Sequence, residues 1–185
     1  MMSNPLDAFV PRYLFRENHE LRISQPPDLV WRALMGVSAA ELPMVRALMR
    51  LRGMSSRGGG SETVLAGLSR RGWFELAKDP GRLVIMGSIG QFWRPGSQRR
   101  FCPADDFPAH EEDGYAKSAS AFELVPAGTG TLLRTETRVA PAGNVRFRMG
   151  AYWLLIRPFS GLIRRMILHA VAGRAGRLAG TSSPA

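Results

Sequence analysis

Hydrophobic and polar positions change their period along the chain, and each change marks an element. Between Arg16 and Ser24, the residues His19, Leu21 and Ile23 alternate with Asn18, Glu20, Arg22 and Ser24, the period of two that a half-buried strand imposes. Pro26 and Pro27 end that strand, and Pro27 suits the first turn of a helix. Val30, Trp31, Leu34 and Met35 then recur at helical spacing up to Gly36. Ser38 followed by Glu41 is a capping-box signal. It opens a second helical segment through Leu42, Val45, Leu48 and Met49, with Gly53 as its stop. Residues 55–61 read as a flexible Gly-rich loop; no Gly-Lys-Ser/Thr ending follows, so it is not a phosphate loop. Val64, Leu65 and Leu68 predict a short helix over 62–70.

The period then returns to two. Trp73–Lys78 and Arg82–Ile89 flank Asp79-Pro80-Gly81, which predicts an antiparallel hairpin. Gln91–Arg94 predicts a further short strand, and the Pro-, Asp- and Glu-rich residues 95–113 predict a loop. Tyr115–Val125 and Thr129–Val139 predict two long strands around Pro126-Ala127-Gly128. On the second of these, Leu133, Thr135, Thr137 and Val139 share one face, and Leu132, Arg134, Glu136 and Arg138 the other, as an exposed cross-strand charge set. From Val145 to about Leu178 the pattern is one long helix. Its apolar stripe is Tyr152, Leu155, Ile156, Phe159, Ile163, Met166, Ile167 and Ala170, with Arg146, Arg157 and Arg164 on another side. Pro158 predicts a bend, and Gly161 permits close approach to a sheet. Residues 1–12, with Pro5 and Pro11, read as a flexible N-terminal arm, 13–178 as a single domain and 179–185 as a disordered tail.

This element order predicts an α+β fold in which the terminal helix is the only element long enough to cross the sheet. If the antiparallel sheet is curved, helix and sheet cannot touch everywhere, and an internal cavity remains between them.

Composition narrows the function classes. An apolar share of 45% with 22% charged residues, in 185 residues, is the balance of a folded domain able to bury a core. A single cysteine, Cys102, excludes an intrachain disulfide and a multi-cysteine zinc site, and fits a reducing compartment. The run Met149–Ile156 is far shorter than a membrane span, and the first residues carry no apolar signal core, so the expected location is cytoplasmic. The net charge of +10 is almost all arginine, because Lys78 and Lys117 are the only lysines. No acidic residue follows Glu136, and the acid-free stretch 42–61 carries Arg46, Arg50, Arg52 and Arg57. Such stripes read as solvated helix faces, or else as docking surfaces for an anionic membrane. They are not interleaved with aromatics, so no specific nucleic acid is expected.

Several segments resemble a known family. His19-Glu20-Leu21-Arg22-Ile23-Ser24-Gln25-Pro26-Pro27 with Val30-Trp31-Arg32-Ala33-Leu34 resembles the opening of the START/polyketide-cyclase (SRPBCC) superfamily. Residues 87–94 (GSIGQFWR), 135–139 (TETRV) and 152–165 (YWLLIRPFSGLIRR) resemble a bacterial branch of it, and the likeness spans about residues 13–178. The resemblance implies a helix-grip fold, a curved antiparallel sheet wrapped around a long C-terminal helix, and a pocket for a hydrophobic ligand. It carries over no catalytic signature.

Candidate pocket-lining residues are therefore His19, Trp73, Met86, Trp93, Tyr115, Thr135, Thr137, Tyr152, Ile156, Phe159 and Ile163. The threonine and tyrosine hydroxyls would orient a guest in an otherwise apolar space. The expected partner is a small hydrophobic or amphipathic molecule such as a lipid or a polyketide-like aromatic, carried or sensed. A cyclase or dehydratase remains open, and it would need a titratable pair such as His19 with Tyr115 or Tyr152. An arginine-rich interaction protein docking on an anionic membrane or on nucleic acid is the third reading. No metal site, cofactor or catalytic residue is called for: the three histidines lie in separate elements, and the acidic loop Asp105–Asp113 lacks EF-hand spacing.

Overall fold

A computed structural model describes residues 4–51, 61–94 and 96–181. Its strands are β1 (Phe15–Ile23), β2 (Phe74–Asp79), β3 (Leu83–Gly90), β4 (Ala116–Ala127) and β5 (Gly130–Pro141), and its helices are α1 (Pro27–Gly36), α2 (Pro43–Leu51), α3 (Val64–Arg70) and α4 (Arg146–Thr181). The strands form one antiparallel sheet in the order β1-β5-β4-β3-β2, which puts β4 at the centre. With its 36-residue terminal helix, this is an α+β helix-grip fold.

Each face of the sheet has its own cover. The inner face presents Val84, Met86, Phe122, Leu124 and Leu133 to α1 (Val30, Ala33, Leu34) and to the second half of α4 (Ile167, Leu168, Val171, Ala175). The outer face packs Leu83, Ile85, Ile89, Ala119 and Ala121 against Cys102 and Phe107 of the long loop. Two covered faces explain why β3 is buried at every position and why its sequence shows no alternation.

The N-terminal residues complete that outer layer, a correction to the expected loose arm. Asn4 caps a 3₁₀ turn over Pro5–Ala8, and Leu6 and Val10 are fully buried. Arg138 is buried too, which corrects the expected exposed charge set. It donates to Asp7 Oδ1 at 2.7 Å, Glu136 Oε1 at 2.7 Å and the Val10 carbonyl at 3.1 Å. Glu136 also accepts from Arg16 at 2.8 Å and from Asn4 at 3.0 Å. Burial alone would push the Glu136 carboxyl up, but these three donors outweigh it and hold it below its ordinary range.

Other boundaries shift for simple reasons. The capping box of Ser38 and Glu41 forms, but it closes only a 3₁₀ turn over Ala39–Glu41, and α2 restarts at Pro43, which has no N–H to continue a helix across it. Gln91–Arg94 is a turn rather than a strand. Gly128, at φ +65°, lies in the two-residue connection between β4 and β5. The predicted stop at Gly53 and most of the Gly-rich loop, residues 55–60, lie outside the described residues, as do 182–185. Helix α4 itself continues to Thr181, beyond the start of the expected tail at 179. Among the described residues no helix is long and apolar enough to cross a membrane.

Candidate functional site

Between the inner face of the sheet and α4 lies a cavity of about 520 Å³. Its apolar walls come from α2 (Leu42 before it, and Val45), α3 (Val64, Leu68), the sheet (Phe122, with Trp73 just before β2), the turn after β3 (Phe92, Trp93) and α4 (Ile156, Ile163, Ile167). Five of the predicted lining residues are therefore assembled: Trp73, Trp93, Tyr152, Ile156 and Ile163.

The other six are not on its wall. Met86 is a core residue packed with Val84 and Phe122. Phe159 is 47% exposed and points away, because the turn of α4 that follows Ile156 meets the cavity through Ser160 instead. Tyr115 lines a second, smaller cavity of about 130 Å³ with Lys117, His110, Glu112 and Arg146. His19 lies beneath α4, where its Nε2 is 3.0 Å from Glu17 Oε1. A Cβ on Gly161 would fall 2.7 Å from that same oxygen and 3.4 Å from His19 Nε2, so glycine is what lets the helix approach here. The expected pair of His19 with Tyr115 is thus not built around the large cavity.

Thr135 and Thr137 act one layer down. Register places His19 opposite Thr135, Glu17 opposite Thr137, and Thr137 opposite Ser120 of β4, which gives a polar row across the inner face. Thr137 donates to Ser120 Oγ at 2.9 Å. Above this row lies Arg164, whose Nη1 donates to Ser120 Oγ at 3.0 Å and to Thr135 Oγ1 at 3.1 Å. The sequence pattern groups Arg164 with Arg146 and Arg157 as a solvated stripe; the structure instead turns it into the cavity. Burial pushes its pKa down, with Glu17 opposing from a distance.

Arg99 is the second residue that sequence reasoning missed. Its stem runs so close to Gly72 and Gly90 that a Cβ at either would fall 2.4 Å or less from Arg99 Cγ or Nη1. Its guanidinium lies 4.5 Å from the Phe92 ring centre, a cation–π contact, and burial lowers its pKa. Arg46, Arg71, Arg94 and Glu62 complete the charged lining, with Glu62 already paired to Arg70. Among the described residues no group of three or more His, Cys, Asp or Glu side chains is placed to hold a metal ion. Cys102 is buried in the outer layer, and burial raises its pKa, so it stays a thiol at neutral pH.

No protein-family model matches the chain, and no curated protein does. Solved structures give likenesses of low score. A Mesorhizobium loti protein is 19% identical at a TM-score of 0.43, covering 88% of this chain and 98% of its own. The protein Ara h 8.0201 is 13% identical at 0.41, covering 87% and 97%. The di-domain ARO/CYC StfQ of the steffimycin biosynthetic pathway is 9% identical at 0.40, covering 91% of this chain and 52% of its own. The architecture itself, a five-stranded antiparallel sheet with a long C-terminal helix across one face, is a helix-grip arrangement.

Proposed function

We propose that the protein binds a small hydrophobic or amphipathic molecule between sheet and α4, as a carrier or sensor. The observation that carries this reading is the cavity of about 520 Å³ with walls of Leu, Val, Ile, Phe and Trp side chains. Its size falls within the roughly 300–1,000 Å³ of small-molecule sites. Titration with the neutral fluorophore 1-aminoanthracene tests it. A saturable 1:1 enhancement, reversed by decanol, is expected; no saturable binding overturns the reading.

A second observation favours docking on an anionic membrane as part of the same task. The outer face of α4 exposes Phe147, Leu154, Leu155, Phe159 and Leu162. Arg148, Arg157 and Arg165 are on the same helix, which has no acidic residue. Apolar side chains beside arginines are the composition of an interfacial helix. Sedimentation with vesicles containing phosphatidylserine should fall at least several-fold in a Leu155→Ser/Leu162→Ser variant and at high salt. Equal sedimentation of variant and wild type would remove the docking role.

A further inference from the structure

Buried polar atoms without partners are rare in folded proteins, and each one asks for an explanation. Three such atoms are donors on residues lining the large cavity: Trp93 Nε1, Arg99 Nη1 and Arg164 Nε. No lining residue contributes an unpartnered buried acceptor among the described residues. The imbalance asks for a guest that supplies acceptor oxygens.

It is sharpest at Arg164. The partners of its Nη1 are two hydroxyls, Ser120 and Thr135, which solvate a cation without neutralising it. Among the described residues no carboxylate forms an ion pair with it. Glu17, which favours its charge from farther off, is hydrogen-bonded to His19 through Oε1 only; its buried Oε2 has no partner and lies off the cavity wall. Ser120 Oγ accepts from both Arg164 Nη1 and Thr137, so its two lone pairs are used and its own O–H is left to donate. Ser120 also lines the cavity.

We infer that the guest is an amphipathic carboxylate whose head group accepts from Arg164 Nε and the Ser120 hydroxyl, while its apolar body fills the space toward Trp73, Phe92 and Ile156. This rests on the cavity being a ligand site, and names the chemistry of that ligand. Charge agrees: the lining carries Arg46, Arg71, Arg94, Arg99 and Arg164 against the single carboxylate Glu62. A charge-assisted bond to an otherwise unpaired buried guanidinium is about twice as strong as a neutral one, so an acid is preferred over its isosteric alcohol.

Calorimetric titration with decanoate and with decanol separates the two layers of the argument. In the wild type, decanoate should bind at least about ten-fold more tightly than decanol. Arg164→Met should erase that ratio, chiefly through loss of decanoate affinity. Ser120→Ala, which leaves the arginine in place, should reduce the ratio only in part. Equal wild-type affinities for acid and alcohol overturn the carboxylate seat and leave the apolar site standing, whereas failure of both to bind overturns the site as well. A preference that survives Arg164→Met but disappears in Arg99→Met overturns the assignment to Arg164. The wild-type ratio is decisive even if a variant misfolds.

Discussion

The side chains that the structure uses most heavily are the ones that a pattern of apolar positions hides. Arg138 ties the N-terminal turn to β5 through Asp7, Glu136 and the Val10 carbonyl. Arg138→Met should destabilise the fold by about 2–4 kcal/mol, since it leaves buried acceptors unpaired although Glu136 keeps Arg16. Urea unfolding measures this, and a change below about 0.5 kcal/mol would show the network to be surface decoration. The sign of the pH effect follows from the depressed carboxyls of Glu136 and Asp7. Their contribution is present above their unfolded pKa values and is lost as pH falls through the folded ones, so wild-type stability should drop below about pH 4. The drop should be shallower in Arg138→Met, and equal slopes would contradict the assignment. Arg164 was hidden for a related reason. Helical spacing aligns it with Arg146 and Arg157, yet Gly161 brings this turn of α4 down onto hydroxyl-bearing strands. The legible clue was the run of hydroxyls at Ser118, Ser120, Thr135 and Thr137, an inward polar row that needs a donor.

At the level of elements, strands and helices with plain periodicity were legible almost to the residue: β1, β5, α1 and the body of α4. Strand β3, covered on both sides, was legible from the Asp79-Pro80-Gly81 turn before it rather than from alternation, which burial of both faces erases. The N-terminal segment misled because two prolines in a short stretch look like a loose chain, while the side chains that anchor it, Leu6, Phe9 and Val10 by packing and Asn4 and Asp7 by hydrogen bonds, follow no single period. Leu6→Ala should therefore cost about 2–5 kcal/mol in denaturant unfolding and leave decanol binding unchanged, since Leu6 packs on the face opposite the cavity. A loose arm would give no loss. Along α4 six of the eight residues of the predicted stripe meet the cavity or the core: Tyr152, Ile156, Ile163, Met166, Ile167 and Ala170. Ile156, Ile163 and Ile167 face the cavity, but Leu155 and Phe159 belong to the exposed side. Sequence spacing alone cannot say which of two adjacent apolar rows meets the sheet when both are present.

For the molecule as a whole, the fold divides labour between the two sides of one sheet. The outer side is covered by the N-terminal turn and the long loop around Phe107, with a small cavity of about 130 Å³ beside Tyr115 and Lys117 left open among the described residues. The inner side is packed solid only where α1 and the end of α4 meet it, and it opens into the cavity beneath the middle of α4. The existence of such a space follows from element order, because one long helix must roof a broad sheet. Its polar equipment does not, since Arg99 reaches it from a loop with no periodic signal at all. Ser160 is a small residue of α4 on the cavity wall, so a large ring there tests whether the interior is where the guest goes. Titration of 1-aminoanthracene into wild type and Ser160→Trp, with melting curves showing both folded, is the most direct measurement. A 1:1 complex in the wild type, weakened at least about ten-fold in the filled variant, is the expected result. Equal binding in both proteins would place the fluorophore outside the fold and contradict the account.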